Sequence, residues 1–155
     1  MENLEDHEEI LDLFCGTGTI AQLVAQRNPK ARVTGVDIVP EAIADAKENA
    51  RKNELTSVKF QAADVGKFLK EHPQYAGKIG ALVLDPPRAG IAPKTLLKTI
   101  ALNAKRIVYI SCNPSTQARD TAALIDAGYA LEKFCLVDQF PHTGHIESIA
   151  KFVKP

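Results

Sequence analysis

Ile10-Leu11-Asp12-Leu13-Phe14-Cys15-Gly16-Thr17-Gly18-Thr19 passes from an apolar, strand-like segment through a glycine turn into a helical pattern over residues 20–27. Ile20, Leu23 and Val24 share one face of that helix. A strand, a tight turn and an amphipathic helix form the opening unit of a parallel α/β sheet. The alternation continues outward. Residues 32–37, Arg-Val-Thr-Gly-Val-Asp, predict a second strand closed by an acid. Pro40 suits the first turn of a helix reaching Lys52, and Glu41 is favourable at its positive end. A third strand is expected over 58–62, then a short helix over 65–71. Ala81-Leu82-Val83-Leu84 is a continuous apolar run, as a central strand buried on both faces requires.

Beyond Asp85-Pro86-Pro87 the pattern predicts a helix over 93–103, a strand over 106–111 and a helix over 115–126. Two closing strands follow, over 130–137 and 145–153. With no helix between them they form a hairpin, which puts one antiparallel strand into a seven-stranded, otherwise parallel sheet. The fold class is therefore α/β, doubly wound. The first strand starts at the very beginning of the chain, so residues 1–155 read as one domain of a longer protein.

The bulk composition sets limits on function. Apolar residues make up 45% and charged residues 25%, ordinary for a globular domain. Lys and Arg number 19, as do Asp and Glu, so the net charge is zero. That disfavours a free-standing nucleic-acid binder held by bulk electrostatics, and leaves open an enzyme whose grip lies in another domain. Three separated cysteines, Cys15, Cys112 and Cys135, match neither a disulfide frame nor a zinc site. The acidic start and the lack of a long apolar run predict a cytoplasmic chain without membrane contact or metal, working as a monomer.

In such sheets ligands lie beyond the carboxyl ends of the strands. Four groups fall there. Gly16 and Gly18 let the backbone turn tightly and approach a ligand. Asp37, about twenty residues beyond the loop, is placed to accept from ribose hydroxyls. Asp64 is placed to accept from an adenine amino group, or serves only as a helix N-cap. Asp85 faces the space where a positively charged portion of the cofactor and the substrate would meet. A dinucleotide site wants a third glycine near Gln22 and a close approach of phosphate to a helix end. Acids after three successive strands suit a phosphate-free nucleoside cofactor instead, S-adenosylmethionine above NAD or FAD.

Two further constellations carry chemistry. Ser111-Cys112-Asn113-Pro114 ends the fifth strand on the cofactor edge, where the positive end of the next helix favours a thiolate. Cys112 is a nucleophile or a structural thiol. Cys15 beside the glycine turn reads as a small buried hydrophobe, and Cys135 lies inside an apolar strand. In Phe140-Pro141-His142-Thr143-Gly144-His145-Ile146-Glu147-Ser148, Glu147 is a base or an exposed strand residue, and both histidines are acid/base groups or loop polar groups.

The loop from Asp12 to Gly18, Asp85-Pro86-Pro87-Arg88-Ala89-Gly90, Ser111-Cys112-Asn113-Pro114 and the 140–148 stretch occur together, in this order. In that combination the chain resembles the catalytic domain of RNA uracil-5-methyltransferases, the enzymes that form 5-methyluridine in ribosomal and transfer RNA. The resemblance implies a Rossmann-like methyltransferase fold, S-adenosylmethionine as cofactor and RNA as substrate. It implies Cys112 as nucleophile and Glu147 as general base. Phe14, Thr19, Asp37, Asp64 and Asp85 match cofactor contacts, Arg88 is a candidate donor to the uracil, and His142 a second substrate contact. Thr19 and Asp64 stand where asparagine is frequent and Asp37 where glutamate is common. The family's upstream RNA-binding part and the iron–sulfur cysteines of some members have no counterpart here.

An amino methyltransferase would place an aromatic residue where Arg88 stands, and would leave Cys112 without a task. A DNA cytosine-5 enzyme would place its cysteine after the fourth strand. The alternative of another class is a catalytically silent module that binds cofactor or RNA.

Overall fold

The computed structural model describes residues 8–138, 142–143 and 146–155. Seven strands form one sheet in the order β3-β2-β1-β4-β5-β7-β6. They are β1 (Glu9–Leu13), β2 (Arg32–Asp37), β3 (Val58–Ala62), β4 (Ile79–Leu84), β5 (Arg106–Ser111), β6 (Ala130–Val137) and β7 (Glu147–Val153). Five helices connect them: α1 (Thr19–Arg27), α2 (Pro40–Lys52), α3 (Val65–Glu71), α4 (Pro93–Ala101) and α5 (Pro114–Asp126). A 3-10 turn over Pro73–Tyr75 precedes β4. The first five strands are parallel, and β7 inserts antiparallel between β5 and β6. The expected hairpin is therefore present, with its second strand on the inside.

Side-chain alternation along the strands divides the core in two. On one face Leu11, Leu13, Leu82, Leu84, Ile107, Tyr109 and Phe152 pack against Val65, Phe68, Leu96 and Leu124 from α3, α4 and α5. On the other, Ile10, Val33, Val58 and Phe60 pack against Ala21, Val24, Ile43, Ala46 and Ala50 from α1 and α2. Parallel sheets need cover on both faces. Here α1 and α2 serve only the β1–β3 side. Ala81, Val83, Val108 and Ile149 line an open cavity of about 770 Å³ together with Phe134 and Cys135.

Local chemistry sets the element ends. Prolines 40, 93 and 114 each open a helix, where their missing N–H is no loss. Strand β1 stops one residue earlier than the apolar pattern predicts, because Phe14 adopts a left-handed conformation with φ 66°. Strand β6 departs from expectation more: its residues are exposed along nearly its whole length, as an uncovered edge strand must be. Cys135 is accordingly exposed, not enclosed.

Gly35 on β2 is demanded by packing. A Cβ there would lie 2.6 Å from the Phe60 ring and 3.0 Å from the Cys15 sulfur. Gly35→Val is expected to lower unfolding stability by about 1–3 kcal/mol, as overpacking does. Urea titration measures this; an unchanged midpoint would show that Phe60 can swing away at no cost.

Candidate active site

The sheet register gathers the candidate groups at one edge. Leu13 of β1 pairs with Val36 of β2 and Leu84 of β4, so Phe14, Asp37 and Asp85 occupy the next rungs. Sequence order reverses between β1 and β4, which makes this the switch point where ligands bind in open α/β sheets. Ser111 of β5 pairs antiparallel with Ser148 of β7. Cys112 follows Ser111 and Glu147 precedes Ser148, so both residues stand at this end of the β5–β7 pair.

The glycine loop is built from the backbone outward. Phe14 and Cys15 both donate their N–H groups to the Val36 carbonyl, at 2.8 and 3.1 Å. Asp37 then holds two turns at once. Its Oδ2 accepts from the Gly16 N–H and its Oδ1 from the Val39 N–H, each at 2.9 Å. Nothing lies within 4 Å of where a Gly16 Cβ would stand, so space is open above the turn. Gly18 differs. At φ 76° it caps α1, and a Cβ on it would be 2.5 Å from the Phe60 ring. Its constraint is packing beneath the loop. Thr19 opens α1, is exposed, and borders a groove with Gln22, Asn49 and Asn53 between α1 and α2.

Asp64 is the N-cap of α3, its Oδ1 accepting from the Lys67 N–H at 2.8 Å. The capping role weighed from sequence is thus present, and it engages one carboxylate oxygen. Asp85 is exposed at the end of β4, yet its carboxyl lies above the ordinary range, through partial burial first and repulsion from Glu147 second. The acids ending β4 and opening β7 are therefore within electrostatic reach of each other.

Cys112 and Glu147 are both half-buried. Ser111 Oγ accepts from the Asn113 N–H at 3.0 Å, and Asn113 Oδ1 caps α5 by accepting from the Ser115 N–H at 3.2 Å. The peptide carrying Cys112 is thus held on both sides. Arg88 is exposed on the 85–91 loop, and its carbonyl accepts from Asn113 Nδ2 and Thr116 Oγ1. His142 is exposed with φ 73°. Phe140, Pro141, Gly144 and His145 of the same stretch lie outside the described residues. Cys15 has its thiol pushed up to about 12, by burial first and then by Asp12 and Asp37, which suits an inert packing group.

Sequence reasoning quoted Asp12 within the loop but assigned it no part. It is 1% exposed on the Ile10 face beneath α1, and neither carboxylate oxygen has a hydrogen-bond partner. Burial pushes its carboxyl up to about 7; Asp85 and Asp37 add to this, while the Ala21 N–H at the start of α1 opposes it without reaching hydrogen-bond geometry. The signal in the sequence was an acid in the middle of Ile10-Leu11-Asp12-Leu13, where alternation demands an inward group. Ile38 and Val39 were also passed over. They are 64% and 45% exposed immediately after Asp37, offering apolar surface beside its carboxylate.

A family model described as a methyltransferase domain matches residues 4–145. The chain belongs to that family. An RNA methyltransferase of Halalkalibacterium halodurans, itself uncharacterized, is 47% identical over 150 residues, 96% of this chain and 32% of the relative. A 23S rRNA (uracil(1939)-C(5))-methyltransferase of Shewanella denitrificans is 40% identical over 153 residues, 97% of this chain and 32% of its own. Among solved structures, the tRNA (uracil-54, C5)-methyltransferase of Pyrococcus abyssi in complex with S-adenosyl-L-homocysteine superposes with a TM-score of 0.81 at 34% identity. That match covers 94% of this chain and 34% of the other. This methyltransferase domain thus spans about a third of the length of the curated relatives it matches.

Asp12 generates a pH prediction. A carboxyl whose pKa is raised on folding favours the fold while protonated; that advantage is complete below about 3.8 and is lost as pH rises through about 7. The groups facing it are Asp37, Asp85 and Cys15, all acidic, and the Ala21 N–H. The loss over that window is expected to be on the order of 2–4 kcal/mol. Asp12→Asn should flatten that portion of the stability profile, read by urea titration at several pH values. The same slope in variant and wild type would show that Asp12 is not its source.

Proposed function

We propose that this domain transfers a methyl group from S-adenosylmethionine to carbon 5 of a uridine in RNA, through a covalent adduct on Cys112. The observation carrying this reading is that Cys112 and Glu147 adjoin the Ser111–Ser148 pair, on the sheet edge that also bears Asp37 and Asp85. Its support from relatives is the uracil-C5 chemistry in their names.

The residues present fit the cofactor. Asp12, Asp37 and Asp85 crowd negative charge with little compensation, which favours a cation and repels a pyrophosphate. Gly16 leaves room for close approach, and Asp37 retains acceptor capacity for ribose hydroxyls beyond its two backbone donors. Phe14, Gly18 and Thr19 shape the loop, and the oxygen of Asp64 outside its cap serves an adenine amino group. When bound, S-adenosylmethionine supplies an electrophilic methyl on a positively charged sulfur.

Carbon 5 of uracil is a poor nucleophile until carbon 6 is attacked. The Cys112 thiolate adds to carbon 6, and the electron pair of the ring double bond moves into an enolate with density on carbon 5. Carbon 5 would then take the methyl group, the methyl–sulfur bond breaking with its electron pair left on the departing neutral thioether. Glu147 removes the proton remaining on carbon 5, the carbon 5–carbon 6 double bond re-forms, and the bond to sulfur breaks to release the Cys112 thiolate. Glu147 passes the proton to solvent. Arg88 and His142 are the groups proposed to contact the uridine, Arg88 donating to the enolate oxygen. The base reaches Cys112 only from a single strand or flipped out of a helix.

The test is trapping with RNA containing 5-fluorouridine, whose fluorine cannot leave as a proton does, so the adduct persists. Wild type is expected to form an adduct dependent on S-adenosylmethionine, stable to denaturing gel electrophoresis. Binding of S-adenosylmethionine with no adduct, in this chain and in the full-length protein, would favour the silent module instead.

Cys112→Ala should abolish both adduct and methyl transfer, at least roughly a thousandfold, while S-adenosylmethionine affinity by calorimetry stays within about threefold. Turnover by this variant would remove Cys112 from the role. Glu147→Gln should accumulate methylated adduct on ordinary uridine RNA, because methyl transfer precedes proton removal. Wild-type turnover without accumulation would assign the base elsewhere.

A further inference from the structure

We propose that Arg119 and Asp120 of α5 are positioning residues that lock the 85–91 loop, and with it Asp85 and Arg88, at a fixed distance from Cys112. The assignment of Cys112 and Arg88 rests on the function proposed above; the lock rests on the hydrogen bonds themselves.

Pro87, Arg88 and Ala89 are exposed, whereas Pro86 and Ile91 on either side are buried, so apolar packing anchors the ends of the loop and not its middle. The exposed middle is held through its backbone, from α5 and its cap Asn113. The Gly90 N–H closes a turn onto the Pro87 carbonyl at 2.8 Å. The Arg88 carbonyl accepts from Asn113 Nδ2 at 3.1 Å and Thr116 Oγ1 at 3.3 Å. Arg119 Nη2 donates to the carbonyls of Ala89 and Ile91, at 3.3 and 3.2 Å. Asp120 Oδ2 accepts from the Ile91 N–H at 2.9 Å.

Asp120 is 1% exposed and collects donors from three elements. Besides the Ile91 N–H, Oδ2 takes the Tyr109 hydroxyl of β5 at 2.7 Å. Oδ1 takes Arg119 Nε and Nη2, at 2.9 and 2.7 Å. The carboxylate thus orients the guanidinium that grips the loop carbonyls. Gly90, at φ 77°, gives this pair its room: a Cβ would stand 2.6 Å from Arg119 Nη2 and 3.0 Å from Asp120 Oδ2. A side chain at position 90 would push out the guanidinium.

A buried charge adds little net stability, because desolvation offsets most of its attraction; what it fixes is one arrangement over its alternatives. The arrangement fixed here joins two halves of the site. Cys112 lies two residues before the start of α5, whereas Asp85 and Arg88 sit on the loop that α5 holds. Farther along the same helix, Gln117 Nε2 donates to the carbonyls of Tyr109 and Ser148, at 2.8 and 3.4 Å, and so reaches the residue next to Glu147. A methyl transfer in line between fixed groups is sensitive to displacement of about 1 Å, which costs roughly a hundredfold in rate.

The test uses this chain, and the full-length protein for turnover, with Arg119→Gln, Arg119→Lys and Asp120→Asn. Arg119 is 54% exposed, so its replacement is expected to leave Tm within about 3 °C of wild type. Hydrogen exchange at amides 88–91 should accelerate at least about tenfold in Arg119→Gln and more in Asp120→Asn, with β4 and β5 amides unchanged. Single-turnover methyl transfer should fall about 10- to 100-fold, while S-adenosylmethionine Kd and RNA KM stay within about threefold. Arg119→Lys should recover only part of the rate, because lysine cannot fork between carboxylate and carbonyls.

Unchanged exchange at 88–91 in Arg119→Gln would overturn the lock, whatever the enzyme proves to do. A loosened loop with a wild-type rate would overturn the positioning role. Absence of any adduct in wild type would sink the proposed reaction, and the exchange measurement would still decide whether Arg119 and Asp120 hold the loop. If Asp120→Asn does not fold, the two Arg119 variants decide.

Discussion

Strand β1 pairs in parallel with β2 on one side and β4 on the other, and that double pairing is the constraint on which the rest of the structure depends. Parallel neighbours put their carboxyl ends on the same edge. The crossover helices that parallel pairing requires must leave from that edge, so loops and helix N-termini accumulate there. Because chain order reverses between β1 and β4, the helices on the two sides diverge and leave a crevice. The Val36 carbonyl, which takes both the Phe14 and Cys15 N–H groups, then turns the loop back over that crevice. Phe14 accepts a left-handed backbone in return, a small local strain of the sort kept at sites where a loop must point in one direction.

Electrostatics within the crevice run against stability. Asp12 has no hydrogen-bond partner, Asp85 is repelled by Glu147, and Asp12 feels both Asp85 and Asp37. A fold selected for stability alone would place leucine or alanine at position 12, since its strand neighbours Ile10, Leu11 and Leu13 are apolar and buried. Retaining an acid there makes sense where a bound cation compensates it. This is the common pattern of sites that break a packing rule locally while the surrounding core carries the cost.

Much of this was legible in the sequence, for identifiable reasons. Hydrophobic period and proline or glycine punctuation are local signals, so the four strand and helix spans from β2 to α3 agree with expectation to the residue. The placement of Cys112 and Glu147 at one end of the β5–β7 pair is not local. It depends on β7 inserting between β5 and β6, and only the resemblance of the whole motif set suggested it. Asp64 shows the limit of single-residue reasoning, because cap and ligand contact call for the same residue type. The exposure of β6 is hidden for a different reason: its strand pattern is apolar at Ala130-Leu131 and Phe134-Cys135-Leu136-Val137, and sequence pattern does not record whether a helix covers the sheet face. Arg119 and Asp120 are adjacent charges in a helical segment, and nothing in their spacing shows that one is 1% exposed.

The two halves of the site differ in how they are held. On the cofactor side the Asp37 carboxylate binds the β1 and β2 loops together directly, through the Gly16 and Val39 amides. On the Cys112 side helix α5 and its cap do so: Asn113 and Thr116 reach the Arg88 carbonyl, Arg119 and Asp120 reach Ile91, and Gln117 reaches the β5 and β7 backbone. Nearly all of these contacts end on main-chain carbonyls and amides. A scaffold that grips backbone holds the loop's path without depending on which side chains the loop carries. That grip explains why the 85–91 loop can expose most of its side chains and still hold one shape.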